Sequence, residues 1–139
     1  MRLSYITRRE NFNAAHKLWH DEWSEEKNIE VFGKCANKNW HGHNYSLFVT
    51  VKGIPDPVTG FIVDLKALSV LIREEVIEHL DHRNLNLDVP FLQGIKPSTE
   101  NLAIVIWDIL KEPIQRLGGT LHGIKLVETE NNSAEYYGE

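Results

Sequence analysis

The stretch from His41 to Lys52 constrains this chain more than any other. His41, His43, Tyr45, Leu47, Val49 and Val51 occupy every second position. Successive strand side chains alternate between faces, so these six share one face of a β-strand. Leu47, Val49 and Val51 require that face to look into a core. The two imidazoles then extend a buried row, and a buried polar group left without a partner costs about 1–3 kcal/mol. A second strand, over about Leu3 to Ala15, leads to the same kind of end, because Phe12, Ala14 and His16 also recur at period two. Any fold adopted by this chain must bury two strands that run out into histidine.

The 139 residues make one domain, 1–139, with 42% hydrophobic and 25% charged residues and a net charge of −5. Those values describe a globular chain. They disfavour nucleic acid as a partner, since phosphate binding needs a positive patch. No apolar run approaches the ~20 residues that span a bilayer, so no membrane association is expected. Met1 to Glu10 holds three arginines with no apolar stretch after them, unlike a secretory leader. Together with a single cysteine, that makes the cytoplasm the expected compartment.

No repeat or linker interrupts the chain. Lys17 to Asn39 is a long polar excursion, with a short helix expected near Ser24 to Val31. Pro55 to Gly60 is a turn, and Asp64 is placed to cap a helix. In that helix Leu65, Leu68, Leu71, Ile72, Val76 and Leu80 form an apolar stripe near the 3.6 period. Ser98 caps a second helix with Glu100 in its first turn and Leu102, Ile106, Ile109 and Leu110 on its buried face; Pro113 is expected to end or kink it. Gly118-Gly119 precedes a hairpin of about Thr120 to Thr129 and Asn132 to Tyr137, turned at Asn131-Asn132. The order is β-β-α-α-β-β, an α+β fold with an antiparallel sheet and two helices on one face.

Chemistry concentrates at the ends of the apolar rows. His41 and His43 point the same way and can reach one metal ion, with His16 as third ligand; as an isolated pair they read equally well as ordinary strand histidines. Three imidazoles with a free fourth position describe a catalytic zinc site, whereas structural zinc usually takes four protein ligands. His20 and His122 fit no such row and read as surface histidines. Cys35 lies in the loop before the pair, either an ordinary thiol or a thiolate favoured by Lys34 beside it. Asp81-His82 follows the first helix, as a capping pair or as a carboxylate-backed general acid and base. Glu128 ends the row Ile124, Leu126, Glu128; its two oxygens suit an ion pair or the paired N–H edge of a pterin or guanine ring.

Five segments in one order resemble the 6-pyruvoyl-tetrahydropterin synthase family: Phe12-Asn13-Ala14-Ala15-His16; Phe32-Gly33-Lys34-Cys35 leading to His41-Gly42-His43-Asn44-Tyr45; Leu80-Asp81-His82-Arg83-Asn84-Leu85; Ser98-Thr99-Glu100-Asn101; and Glu128-Thr129-Glu130-Asn131-Asn132. The resemblance implies the tunnelling fold, in which three subunits close a barrel and two trimers stack as a homohexamer, with active sites at subunit interfaces. It implies that His16, His41 and His43 hold zinc (Zn2+). It also implies that Cys35, Asp81 and His82 transfer protons, and that Glu128 anchors a pterin with help from Thr99 and Glu100. The implied reaction is a lyase step of tetrahydrobiopterin biosynthesis, converting 7,8-dihydroneopterin triphosphate to 6-pyruvoyl-tetrahydropterin and triphosphate. The related 6-carboxy-tetrahydropterin synthase of queuosine biosynthesis, which also releases acetaldehyde, is the alternative; a non-catalytic pterin- or metal-binding homologue is the second. Five residues separate Cys35 from His41, a spacing similar to the biopterin-type enzyme, while Trp40 stands where the animal synthases have Gly.

Overall fold

The computed structural model describes residues 2–139. Strand β1 runs Ser4–His16 and pairs antiparallel with β2, His41–Gly53. Their register sets Phe12 opposite Tyr45, Ala14 opposite His43 and His16 opposite His41. Even positions of β1 and odd positions of β2 therefore face one side, and Tyr45, Leu47, Val49 and Val51 are fully buried there. The opposite face carries Thr7, Arg9, Asn11, Asn13, Asn44, Ser46 and Thr50 in a web of side-chain hydrogen bonds.

The excursion between these strands is an ordered unit. Helix α1, Glu25–Phe32, starts at Ser24, whose hydroxyl accepts from Lys27 N–H, one residue later than the sequence suggests. Asn28 is buried without any hydrophobic periodicity to mark it. It accepts from His20 N–H and donates to the carbonyls of His20 and Ser24, so one side-chain amide ties the loop to its own helix. A 3-10 turn, Gly33–Ala36, follows. Gly33 has φ 56° and ψ −131°, a conformation that favours glycine.

Asp64 caps α2, Leu65–Ile72, by accepting from Lys66 N–H. The helix continues as a π-helical turn, Arg73–Ile77, and ends in the single α-turn α3, Glu78–Leu80. Leu68, Ile72, Val76 and Leu80 are buried as their spacing demands, but Leu65 lies in the first turn, away from the core, and is exposed. A two-residue strand, β3, Arg83–Asn84, then pairs parallel with Ala14-Ala15. It departs from the all-antiparallel expectation, and two residues are too short for any pattern to show.

Ser98 caps α4, Thr99–Arg116, which buries Leu102, Ile106, Leu110 and Ile114. The helix does not end at Pro113 but carries on to Arg116. Ile114, one residue beyond the proline, is fully buried, so packing of the last turn offsets the lost backbone bond. Strands β4, Thr120–Thr129, and β5, Asn132–Tyr136, complete a sheet of order β3-β1-β2-β4-β5, with α4 packed against β4 and β5. Among the described residues no helix is long and apolar enough to cross a membrane.

Candidate metal centre and active site

Pairing of β1 with β2 assembles the histidines directly. The ring centroids lie 4.6 Å apart for His16–His41, 5.1 Å for His16–His43 and 4.8 Å for His41–His43. One ligand nitrogen from each lies within 4.8 Å of the others. His16 is fully buried, and its Nδ1 is 2.7 Å from the Pro97 carbonyl oxygen. A carbonyl only accepts, so Nδ1 carries the proton and Nε2 presents its lone pair to the cluster. His16 Nε2, His41 Nδ1 and His43 Nε2 are all buried without a hydrogen-bond partner. Burial, above all, lowers the pKa of each of the three histidines below its usual value, favouring the neutral imidazole a metal requires. Three orphaned lone pairs on one spot, one ring already fixed by a backbone carbonyl, are the donor set and outer-shell support of a metal site. These residues fit a metal ion.

Glu128 closes the same site from β4. The register of β4 with β5 skips between Val127 and Thr129, so Glu128 occupies a β-bulge, a device that re-aims a side chain. Its Oε1 lies 3.6 Å from His43 Nε2 and its Oε2 4.0 Å from His16 Nε2. Thr99, in the first turn of α4, donates its hydroxyl to Glu128 Oε2. Thr99, Glu100, Glu128, Asn131, Asn132 and Ser133 line a cavity of about 450 Å³. The grouping of Glu128 with Thr99 and Glu100 is thus present in one chain; the bulge that produces it, and the flanking Asn131, Asn132 and Ser133, carry no pattern in the strand alternation.

Cys35 sits in the 3-10 turn, where its carbonyl accepts from Leu18 N–H at 2.7 Å. Its electrostatics run against the sequence expectation. Burial pushes the thiol above its usual pKa and the Glu128 carboxylate adds to that, the reverse of the lowering expected from Lys34. Glu128 and Cys35 also act on Tyr45, a fully buried phenol whose hydroxyl has no partner and whose pKa burial drives far upward. Glu128 contacts the triad directly, Tyr45 sets its ring 6.2 Å from that of His16 and 5.7 Å from that of His43, and the Cys35 backbone is tied through Leu18 to the segment that follows His16.

Asp81 Oδ1 accepts from Asn13 N–H at 2.8 Å along the outer edge of β1, and Asp81 lines a cavity with Arg9, Asn11, Asn13, Asn44 and Ser46 that also reaches Phe12 and Tyr45. His82 takes φ 60°, donates from Nδ1 to Asp81 Oδ2 at 2.9 Å and leaves its side chain 82% exposed. The Asn13 N–H, then the His82 contact, hold the Asp81 carboxyl below its usual range. Among the described residues, no hydrogen bond or ion pair joins the Asp81-His82 pair to Cys35, Glu128 or the three histidines within one chain. Of the two histidines read as surface residues, His20 faces Glu22 and Trp23, while His122 is half-buried between Tyr5 and Tyr137.

Comparison with known proteins reaches nearly the whole chain. The family model for 6-pyruvoyl tetrahydropterin synthase matches residues 5–139. The 6-pyruvoyl tetrahydrobiopterin synthase of Dictyostelium discoideum is 44% identical over 134 residues, covering 96% of each protein. That of Pongo abelii is 43% identical over 134 residues, covering 96% of this chain and 91% of the relative. The solved structure of Caenorhabditis elegans 6-pyruvoyl tetrahydropterin synthase superposes with a TM-score of 0.87 at 34% identity, over 100% of this chain and 98% of that one.

Proposed function

This chain belongs to the 6-pyruvoyl tetrahydropterin synthase family, and from that premise we propose that it converts 7,8-dihydroneopterin triphosphate to 6-pyruvoyl-tetrahydropterin and triphosphate. The observation that supports this best is the cluster of three unpartnered histidine nitrogens, with Glu128 3.6 Å from that of His43 and 4.0 Å from that of His16. It supports reading a metal-binding corner beside a carboxylate suited to a pterin edge. The whole of 1–139 acts as one catalytic domain.

His16, His41 and His43 would hold zinc. When bound, zinc supplies Lewis acidity to oxygens of the substrate's hydroxylated side chain and makes the adjoining C–H easier to deprotonate. Glu128, steadied by Thr99, would accept the paired N–H groups of the pterin ring, with Glu100 at the mouth of the same cavity. Cys35 would take a proton from the side chain of the bound pterin. Its raised pKa makes the thiol the resting form, so the thiol would first release its own proton to solvent, and the thiolate left behind is a strong base for the proton of the substrate. His82, oriented by Asp81, would return a proton elsewhere on the substrate. Hydrogen moves from side chain to ring as triphosphate leaves, so oxidation of one balances reduction of the other and no redox cofactor is needed.

Within one chain the Asp81-His82 pair is fixed at the outer edge of β1 and makes no hydrogen bond to Cys35, so their joint action would draw on a second copy of the chain. The barrel-forming homohexamer expected from the sequence supplies that arrangement, with each site completed by a neighbour. The same expectation keeps the enzyme cytoplasmic and its partners limited to its substrate and its own copies.

The test is incubation of zinc-loaded protein with 7,8-dihydroneopterin triphosphate, with pterin products read by mass spectrometry. A 6-pyruvoyl product is expected. A 6-carboxy product with acetaldehyde would assign the queuosine-type activity instead, and pterin binding without turnover would leave a non-catalytic homologue. Cys35→Ala should keep zinc and pterin affinity while losing turnover; full activity in that variant would remove Cys35 from the mechanism.

A further inference from the structure

Three lysines converge on one cavity that the histidines and Glu128 do not use. Lys17, Trp19, Glu25, Ile29, Lys34 and Lys38 are among the residues bounding a space of about 450 Å³. Glu25 is the one carboxylate in that lining, so the walls carry three positive charges against one negative in a chain of net charge −5. Among the described residues, no ion pair engages Lys17, Lys34 or Lys38. Lys17 is held by aromatic faces instead: its Nζ lies 4.4 Å from the Trp19 ring centroid and 5.6 Å from that of Trp40. Such contacts fix an ammonium while leaving its N–H donors free.

The backbone around the cavity is equally committed. Asn86 accepts from Lys17 N–H and donates to the Lys17 carbonyl, each at 2.9 Å. Leu18 N–H bonds the Cys35 carbonyl, tying the Lys17–Trp19 wall to the Gly33–Ala36 wall. At Gly33, which also lines the cavity, a Cβ would meet nothing within 4 Å, so the backbone itself faces the space. Along the chain the cavity borders the reaction site twice: Lys17 follows His16, and Lys34 and Ala36 flank Cys35.

We infer that this cavity is the subsite for the triphosphate of the substrate, with Lys17, Lys34 and Lys38 as its ligands. The inference rests on the pterin reading above and deepens it. A flexible triphosphate carries several negative charges and presents only acceptors, and three free ammonium groups present only donors. The cavity is walled by the chain neighbours of His16 and Cys35, and the triphosphate is attached to the far end of the side chain that the histidines would meet. Binding there would aim the leaving group away from the metal corner and hold the reacting carbons next to Cys35.

The experiment measures calorimetric Kd values of the zinc-loaded protein for two probes, sodium tripolyphosphate and 7,8-dihydroneopterin, in wild type and in Lys17→Gln/Lys38→Gln. Tripolyphosphate affinity should fall by about tenfold or more in the variant, while dihydroneopterin affinity stays within about twofold. Lys38→Gln alone, on an exposed turn, should weaken tripolyphosphate in the same direction and guards against a folding defect in the double variant. An unchanged tripolyphosphate Kd overturns the inference, as it would if the metal alone held the anion. So does no tripolyphosphate binding to wild type, or an equal loss of both probes. Should dihydroneopterin fail to bind wild type while lysine-dependent tripolyphosphate binding persists, the pterin reading falls and the polyphosphate subsite stands.

Discussion

A single backbone contact decides where the Asp81 carboxylate spends its charge. Asn13 N–H is the largest influence on it and His82 comes after, so Asp81 is first a clamp on the edge of β1 and then an orienter of His82. The sign of its pH dependence follows. A carboxyl whose folded pKa lies below its unfolded value contributes stability that is fully present above about pH 4 and is lost as pH falls through the folded value. Urea midpoints of wild type and Asp81→Asn should therefore differ at neutral pH, wild type higher, and converge between about pH 5 and pH 2; a constant gap would contradict the clamp. Thr99 offers a second test at this scale. Removing its hydroxyl with Thr99→Val frees Glu128 to turn toward the imidazoles, and pterin affinity should fall by about tenfold with little change in thermal midpoint, a pattern that titration calorimetry and a melting curve separate. His16, His41, His43 and Glu128 were legible in the sequence because strand alternation fixes which way each points. The protonation of Cys35 was not, because it depends on burial and on Glu128, 93 positions away in sequence, rather than on the adjacent Lys34.

Among the elements, α4 shows how packing overrides a local signal. Pro113 removes one N–H from the ladder, yet the helix continues because Ile114 has a fully buried place. Pro113→Ala should restore the missing bond and stabilise the protein by about 1–3 kcal/mol, read as a higher urea midpoint with an unchanged slope. A decrease would mean that the ring itself packs productively. The elements that sequence periodicity found are those with long apolar stripes: β1, β2, α2, α4 and β4. Those it missed are short or irregular by nature. The two-residue β3 is specified only by the edge it joins, and the π-helical turn at Arg73–Ile77 adds a residue to a turn without disturbing the stripe that Val76 and Leu80 continue. The bulge at Glu128 is invisible for a related reason, since it arises where β4 and β5 fall out of step and neither strand alone records that.

At the scale of the molecule, one chain keeps two groups of functional candidates apart. The corner with the histidines and Glu128 holds no exposed acid–base pair, and the outer edge of β1 offers Asp81 and His82 with no metal corner. If neighbours complete each other, Cys35→Ala and His82→Ala should each be inactive alone. Refolded together in equal amounts they should regain roughly a quarter of wild-type turnover, because random mixing unites an intact Cys35 with a neighbour's intact His82 in that share of sites. A mixture that stays inactive would show that one chain must carry both. The α+β layering was legible in the sequence, since it follows from the order of stripes; an active site at a subunit interface came only as what the family resemblance implies, because no periodicity states which residues a second copy would bring.

The pairing of His16 with His41 has a consequence for how this chain finds its shape. A tight hairpin sets strand register by its turn, but β1 and β2 are joined through 24 residues, from Lys17 to Trp40, and no turn dictates their alignment. The apolar rows are tolerant of error: a slip of two residues keeps Phe12 and Ala14 facing Tyr45 and Leu47's side of the sheet. The imidazoles are not tolerant, because the same slip parts His16 from His41 and scatters the three lone pairs. Only the correctly aligned chain can close on an ion, so the site built for chemistry also proofreads the alignment of the sheet that carries it.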